Sequence, residues 1–359
     1  MQRFATMMRD GLTAAGVAVE LIQPQPWLGR FRYAGNGVAK WLGYVDKFVF
    51  FAPTLQRKLA RRPALVHICD HSNAMYARQI RDVPVVVTCH DLLAVRGALG
   101  EETDTPVSLT GKLLQRWIMA GLEKAAAIAC ISHATLADVE RLVPRKGSTT
   151  LEVITQGLNY PYRRLPVEEA RARLRAIEGL GSNIEFALHV GSNADRKNRA
   201  GVLRIFARCR PRWSGSLVFA GEPLSAALRS LSRDLGISDR IVEVPAPSSA
   251  MLEALYSGAT ALLFPSTFEG FGWPIAEAQA CGCPVLCSDR EPMAEVAGAA
   301  GLTHPLENEE AFAEDLLRLT DGSERERWSE KSLRNAERFS TEKMIARYVA
   351  IYRRLATPL

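Results

Sequence analysis

The sequence predicts an α/β protein of two doubly wound domains, each built on a parallel sheet, and three observations carry that prediction. A chain of 359 residues is too long for one ordinary core and suits two domains of ~150–200 residues. Short β-branched runs at 17–22, 65–69, 83–88, 126–131, 151–154, 184–190, 217–220, 241–244, 259–264 and 284–287 alternate with helical patterns, the signature of βα units. The alternation breaks once, at 157–166, where Gly157, Pro161 and Pro166 bracket a stretch without periodicity that reads as a linker. Ligands of such folds sit in the crevice beyond the carboxyl ends of the strands.

The beginning departs from that plan. Met1, Phe4, Met7, Met8 and Leu12 fall at helical spacing, Gly16 reads as a helix stop, and a strand is expected from Val17. A domain of this class usually opens with a strand and a tight turn. The first sheet is therefore expected to lack its central strand, leaving 17–22 and 83–88 without the neighbour between them.

With 47% hydrophobic and 23% charged residues, the composition is that of a globular protein. No apolar run reaches the ~18 residues that span a bilayer, and no signal-peptide core precedes the first helix, so a cytosolic location is expected. Seven cysteines, an odd number, make no disulfide framework. Cys281, Cys283 and Cys287 lack zinc-site spacing and are expected to be buried thiols, with no metal bound.

The net charge of +6 is local. From Trp27 to Arg62 stand eight basic residues (Arg30, Arg32, Lys40, Lys47, Arg57, Lys58, Arg61, Arg62) and one acid, Asp46, which leaves the rest of the chain near −1. Trp27, Phe31, Tyr33, Trp41, Tyr44 and Phe48 interleave these charges. The segment reads either as a solvated helical face or as a surface drawn to an anionic membrane or acceptor. No nucleic-acid motif accompanies it.

Four strand ends carry candidate chemistry. After the run at 83–88 come His90 and Asp91, and after the run at 65–69 come Asp70 and His71. Between His189 and Asn198, Gly191 and Ser192 end a strand, and Arg196 and Lys197 precede a helix. A helix dipole disfavours cations at its amino end, so an anion between the two would resolve the conflict. A diphosphate fits, and a solvated pair is the alternative.

The fourth end is STFEGFGWPIAEA, residues 266–278. Glu269 lies in a loop, Pro274 sits where a helix begins, and Glu277 follows one turn in. Gly270 and Gly272 let backbone approach a ligand. A carboxylate accepts two hydroxyl protons at once, which suits a vicinal diol. Both acids could instead be solvated, but the small residues around Glu277 point to burial and the need of a partner. The glycines do not complete a dinucleotide fingerprint, and no phosphate-binding P-loop occurs.

Residues 265–278, with Gly282, Pro284 and Ser288, resemble the signature of two glutamates eight apart in the retaining family 4 glycosyltransferases of GT-B fold. Gly191 with Arg196, Lys197 and Asn198 resembles that family's phosphate-binding loop, 88–91 its acceptor-side histidine segment, and 153–157 its interdomain stretch. The resemblance runs from about residue 1 to 355.

It implies two Rossmann-like domains facing across a cleft: an acceptor-side domain over 1–163, a donor-binding domain over 164–340, and a terminal segment, 341–359, packing back on the first. It further implies that Glu277 holds the ribose diol of a nucleotide-sugar. Glu269 with the amides of Gly270, Phe271, Gly272 and Trp273 would hold the sugar hydroxyls, and Arg196 and Lys197 beside Gly191 and Ser192 the diphosphate. The turn after Val244 would hold the base, with His90 and Asp91 beside the transferred sugar. The implied reaction moves a hexose to a glycan or lipid-linked acceptor with retention, without cofactor; the lack of any DxD triplet agrees with a metal-free fold of this type. Two rival expectations stand: a nucleotide-sugar-binding protein that does not turn over, and a phosphorylase of related fold.

Overall fold

The computed structural model describes residues 2–25, 43, 45–103, 107–144, 147–180 and 185–356. Helix α1 (Gln2–Ala14) buries Phe4, Met8 and Leu12 on one face. Gly16, at φ 79°, turns the chain so that the amide of Val17 reaches back to the Leu12 carbonyl at 2.9 Å. A π-helical turn, Asp46–Phe50, leads into α2 (Phe51–Leu59). Then follow β1 (Val66–Ile68), a 3-10 run (His71–Gln79), β2 (Val85–Cys89), α3 (Leu93–Leu99), α4 (Leu109–Leu122), β3 (Ala127–Cys130), α5 (His133–Leu142) and β4 (Thr150–Val153). The four strands pair in parallel in that order. Every residue of β2 and β3 is buried, as helices on both faces require.

Two expectations about this sheet are corrected. Residues 17–22 form no strand, and Val19 and Leu21 are exposed. Among the described residues no strand lies along the outer edge of β1, and an extended run without a ladder partner cannot satisfy its backbone groups as a strand. No gap exists beside 83–88 either, because Val86 pairs with His67 on one side and with Ala127 on the other. The open edge belongs to β1.

The second domain runs α6 (Val167–Leu174), β5 (Phe186–Gly191), α7 (Arg199–Cys209), β6 (Ser216–Gly221), α8 (Ala226–Asp234), β7 (Ile241–Pro245), α9 (Ser249–Gly258), β8 (Ala261–Phe264), α10 (Trp273–Ala280), β9 (Val285–Ser288), α11 (Met293–Ala297), β10 (Gly301–His304), α12 (Glu309–Arg318) and α13 (Gly322–Ala336). Its sheet is parallel with order β10-β9-β8-β5-β6-β7. The order reverses between β5 and β8, which opens the crevice at their carboxyl ends. Cys281, Cys283 and Cys287 are buried free thiols in this core.

Helix α14 (Thr341–Leu355) returns to the first domain, where Met344, Ile345, Tyr348, Ile351 and Tyr352 pack against Phe4, Met8, Leu12 and Val86. A buried polar chain fastens it. Tyr352 Oη pairs with His67 Nδ1 at 2.6 Å, His67 Nε2 with Thr88 Oγ1 at 2.8 Å, and Thr88 Oγ1 with Tyr348 Oη at 2.8 Å. Burial, assisted by the charge of His90, pushes the His67 imidazole down to about 3.

An unfolded histidine takes up its proton near pH 6.5, whereas folded His67 stays neutral to about 3. Its contribution is therefore complete above pH 6.5 and is lost progressively below it, by at most ~1.4 kcal/mol per pH unit. Replacing His67 by phenylalanine strands the Tyr352 hydroxyl and is expected to cost ~1–3 kcal/mol at pH 7.5. The difference in melting temperature between the two proteins should narrow at pH 5.5; an equal difference at both pH values would contradict this role.

The basic segment 27–62 lies partly outside the described residues, which include neither Arg30, Arg32 and Lys40 nor the aromatics Trp27, Phe31, Tyr33, Trp41 and Tyr44. Within the described part, Lys58 and Arg61 pair with Glu20, and Lys47 Nζ donates to the Ser72 carbonyl at 3.3 Å. Arg57 and Arg62 are exposed, as are Val49 and Phe50. Among the described residues no helix is long and apolar enough to cross a membrane.

Candidate active site

Strand β8 delivers the chain at Phe264 to a loop that ends in Gly272, whose φ of 97° makes the turn into α10, with Pro274 in the first helical turn. Glu277 projects from α10 and is 7% exposed. Tyr256 of α9, itself fully buried, donates its hydroxyl to Glu277 Oε2 at 2.9 Å. Burial pushes the Glu277 carboxyl up to about 7, and the Tyr256 bond and the charges of Arg3 and Lys197 offset only part of that. Glu277 is thus a buried acid with one fixed oxygen, poised between its charged and neutral forms.

Glu269 stands at the centre of the loop. Its Oε2 accepts from Arg196 Nη1 at 2.7 Å and its Oε1 from Lys197 Nζ at 2.6 Å. The amide of Thr267 donates to the Arg196 carbonyl at 2.8 Å, so the two loops are tied through backbone as well. Lys197 is 8% exposed and lies over the Phe264 ring at 4.8 Å. Burial lowers its ammonium, and Glu269 pulls it back up. The counter-anion expected between Arg196 and Lys197 is here a side chain of the protein. Sequence showed two cations needing a negative charge, but not that Glu269 would supply it.

Gly191 and Ser192 end β5 beside these cations. A methyl group on Gly191 would stand 3.2 Å from Lys197 Cδ, so the glycine makes room for the lysine stem. His189, one turn of the strand earlier, is buried and donates from Nδ1 to the Leu263 carbonyl at 2.9 Å. Arg199, at the start of α7, donates to the carbonyls of Gly191 at 2.5 Å and Glu222 at 2.7 Å and to Asn193 Oδ1 at 2.8 Å. It is 3% exposed and fixes the ends of β5 and β6 together. Val244 lies near the end of β7, where Ala246 takes a left-handed φ of 44° and bonds to the Gly221 carbonyl at 2.9 Å. Sequence reasoning missed Arg199, although its place two residues after Lys197 at a helix start was a signal. It also missed Tyr256, for which 21 residues of separation gave none.

The first domain meets this loop at Gly270. Ser132 Oγ donates to the Gly270 carbonyl at 3.2 Å, and His133 binds Glu295 of α11 through its amide at 2.9 Å and Nδ1 at 2.8 Å. His90 follows β2. Its Nε2 donates to the Cys69 carbonyl at 2.9 Å, and Phe4 meets its ring edge-on at 5.0 Å. Burial lowers its imidazole, and the bond to Cys69 opposes that; with Nε2 donating, Nδ1 is the acceptor nitrogen of the neutral ring. The side chain of Asp91 caps α3 by accepting from the Leu93 amide at 3.0 Å. The structure therefore joins Glu269, Arg196 and Lys197 directly, while His90 approaches them through its backbone.

That approach has no slack. A methyl group on Gly270 would stand 2.4 Å from the His90 carbonyl oxygen, inside any real carbon–oxygen contact. Gly270→Ala is expected to force the domains apart and lower turnover at least ~10²-fold, since a misplacement of about 1 Å costs that much. Its isolated domains should keep their fold. Small-angle scattering compared with the parent would check the opening, and unchanged scattering with unchanged turnover would contradict it.

Two parallel sheets, a crevice at the switch point and a carboxylate–cation cluster in it define a GT-B glycosyltransferase. Residues 1–154 match the glycosyl transferase 4-like domain and residues 170–334 the glycosyl transferases group 1, so the chain belongs to that family. It is 32% identical over 179 residues to O-antigen chain mannosyltransferase B of Escherichia coli, a match covering 47% of this chain and 46% of that one. It is 27% identical over 331 residues to the D-inositol 3-phosphate glycosyltransferase of Mycobacterium marinum, covering 85% and 67% of the respective chains. Among solved structures, sucrose-phosphate synthase from Thermosynechococcus elongatus superposes with a TM-score of 0.76 at 23% identity, covering 97% of this chain and 91% of that one. WaaG, a glycosyltransferase involved in lipopolysaccharide biosynthesis, superposes with a TM-score of 0.71 at 17% identity, covering 98% and 95%.

Proposed function

We propose that this chain transfers a hexose from a nucleoside-diphosphate sugar to a saccharide acceptor, with retention of configuration and without a metal. The observation that carries the reading is the cluster of Glu269 with Arg196 and Lys197 at the switch point, next to the buried Glu277. An incoming diphosphate competes with Glu269 for the two cations and releases that carboxylate to accept sugar hydroxyls. Glu277, held by Tyr256, accepts the ribose diol. As the glycosidic bond breaks, negative charge grows on the diphosphate, and Arg196 and Lys197 stabilise it where another enzyme would place a divalent ion. The amides of Gly270, Phe271, Gly272 and Trp273 border the sugar, the turn after Val244 borders the base, and His90 Nδ1 and Asp91 face the transferred sugar. Two carboxylates here do not act as an acid and nucleophile pair, because in this reading both are spent on hydroxyls of the donor, Glu277 on the ribose and Glu269 on the sugar.

The relatives named as a mannosyltransferase and an inositol-phosphate glycosyltransferase support a sugar donor and a polyol or saccharide acceptor. A panel of nucleotide-sugars scored by thermal shift selects the donor, since a ligand at 100 Kd adds ~2.7 kcal/mol. The radiolabelled form of that donor is then incubated with a glycan and lipid-saccharide extract. Transfer of label together with release of the nucleoside diphosphate is the expected result; saturable binding without transfer would overturn enzymatic function and leave a binding protein.

A peripheral membrane contact through 27–62 belongs to the same reading, because Arg57 and Arg62 are exposed in the same segment as exposed Val49 and Phe50. Sedimentation with anionic vesicles should then fall steeply as salt rises, screening acting beyond ~8 Å at physiological ionic strength. Salt-independent sedimentation, or none, would return the segment to a solvated face.

A further inference from the structure

A cavity of about 390 Å³ opens at the end of the second sheet opposite the crevice. Phe186 at the start of β5 and Pro284 just before β9 line it, whereas the candidate active site follows the carboxyl ends of these strands. Its floor is apolar and buried, formed by Leu174, Leu180, Phe186 and Pro284. Its rim carries Arg164, Arg171, Arg175 and Arg325 against Glu185 and Glu326, an excess of two positive charges.

The cations are unevenly satisfied. Arg164 is bonded to both oxygens of Glu326 at 2.7 and 2.6 Å, and Arg325 stands 3.6 Å from Glu185. Arg171 has only the exposed Glu168, at 3.1 Å, and Arg175 has no partner among the described residues. Deeper in, Ser329 lines the cavity at 3% exposure, and its hydroxyl has no hydrogen-bond partner among the described residues. Buried hydroxyls in folded proteins are paired as a rule, so this one marks a position where a polar atom belongs. Gly282 keeps the space beside it open, since a methyl group there would stand 2.7 Å from Ser329 Oγ.

A volume of this order is that of a small-molecule site. An apolar floor beneath an under-neutralised arginine rim selects a ligand with both an apolar body and a compact anion, because either part alone would leave half of the site unmatched. We propose that this cavity binds a phosphate monoester of an apolar or aromatic alcohol, its body on Leu174 and Phe186 and its phosphate at Arg171 and Arg175. The site is separate from the crevice and does not depend on the donor reading.

The test is calorimetry on the full chain with the crevice filled by saturating nucleoside diphosphate, using 1-naphthyl phosphate as the probe. One saturable site is expected, at least tenfold tighter than for 1-naphthol and for inorganic phosphate. The double variant Arg171→Ala with Arg175→Ala should weaken it at least tenfold without changing the melting temperature, and Ser329→Ala severalfold. Glu277→Ala should leave it unchanged. Octyl phosphate and a nucleoside monophosphate, titrated in parallel, distinguish an alkyl from a ring-bearing natural ligand. Absence of saturable binding, equal affinity for the three probes, or competition with the nucleoside diphosphate would each overturn the proposal. Should the double variant fail to fold, probe discrimination by the parent and the Ser329→Ala titration still decide.

Discussion

Lys197→Ala is expected to lower kcat by ~10²–10³-fold while KM for the donor changes far less. The ammonium of Lys197 is buried, so it acts on the diphosphate in a medium where a charge counts for more than in water, and the diphosphate charge it meets is largest in the transition state. Glu269 keeps Arg196 as a partner at 2.7 Å, so the substitution leaves no buried carboxylate unpaired and the fold should hold. Lys197→Arg should recover part of the rate. Steady-state kinetics over a range of donor concentrations decide the matter: a raised KM with kcat unchanged would make Lys197 a binding residue and no more.

Glu277→Ala is expected to weaken binding of the nucleotide-sugar by ~1.5–3 kcal/mol, the loss of charge-assisted hydrogen bonds to the ribose. The pH dependence sharpens the test. Burial raises the Glu277 carboxyl to about 7, and the diol is bound by its ionised form, so protonation competes with the donor. Affinity should rise about tenfold between pH 6 and pH 8 and level off above, as follows for one group titrating near 7. The intact nucleotide-sugar is the ligand to use, since a free terminal phosphate titrates near pH 6 itself. Glu277→Gln, which keeps a partner for the Tyr256 hydroxyl, should bind more weakly and without this pH dependence. Unchanged affinity in Glu277→Ala would remove the assignment.

The second domain was largely legible because several of its strands are apolar runs buried on both faces, such as Ala261–Phe264, buried throughout, and Ser216–Gly221, buried up to its last residue. Strand Gly301–His304 escaped notice: four residues with a glycine at the head and a polar end carry little pattern, and pairing with Val285–Ser288 makes the strand. The opposite error arose at 17–22, where the pattern is present and no partner strand lies among the described residues. Local sequence reports what a segment can become, and the ladder decides what it does become.

In the site, the spacing of Glu269 and Glu277 was readable because a loop, a glycine turn and a helix start are written between them. Their partners were not. That Tyr256 fixes Glu277 and that Glu269 bridges Arg196 and Lys197 follows from the packing of α9 and of the loop after β5 against α10 and its loop, over separations of 21 and 72 residues. The cavity at the far end of the sheet was equally invisible, since its rim draws on α6, α13 and the segment before β5.

Proton NMR of the turnover reaction tests the central claim most directly. The chain is mixed with the nucleotide-sugar selected by thermal shift and with its acceptor, and the anomeric signals are followed in time. Loss of the donor's anomeric signal, release of the nucleoside diphosphate and growth of a product signal of the same anomeric configuration are the predicted result. An intact donor, or a first-formed product of inverted configuration, would contradict the account.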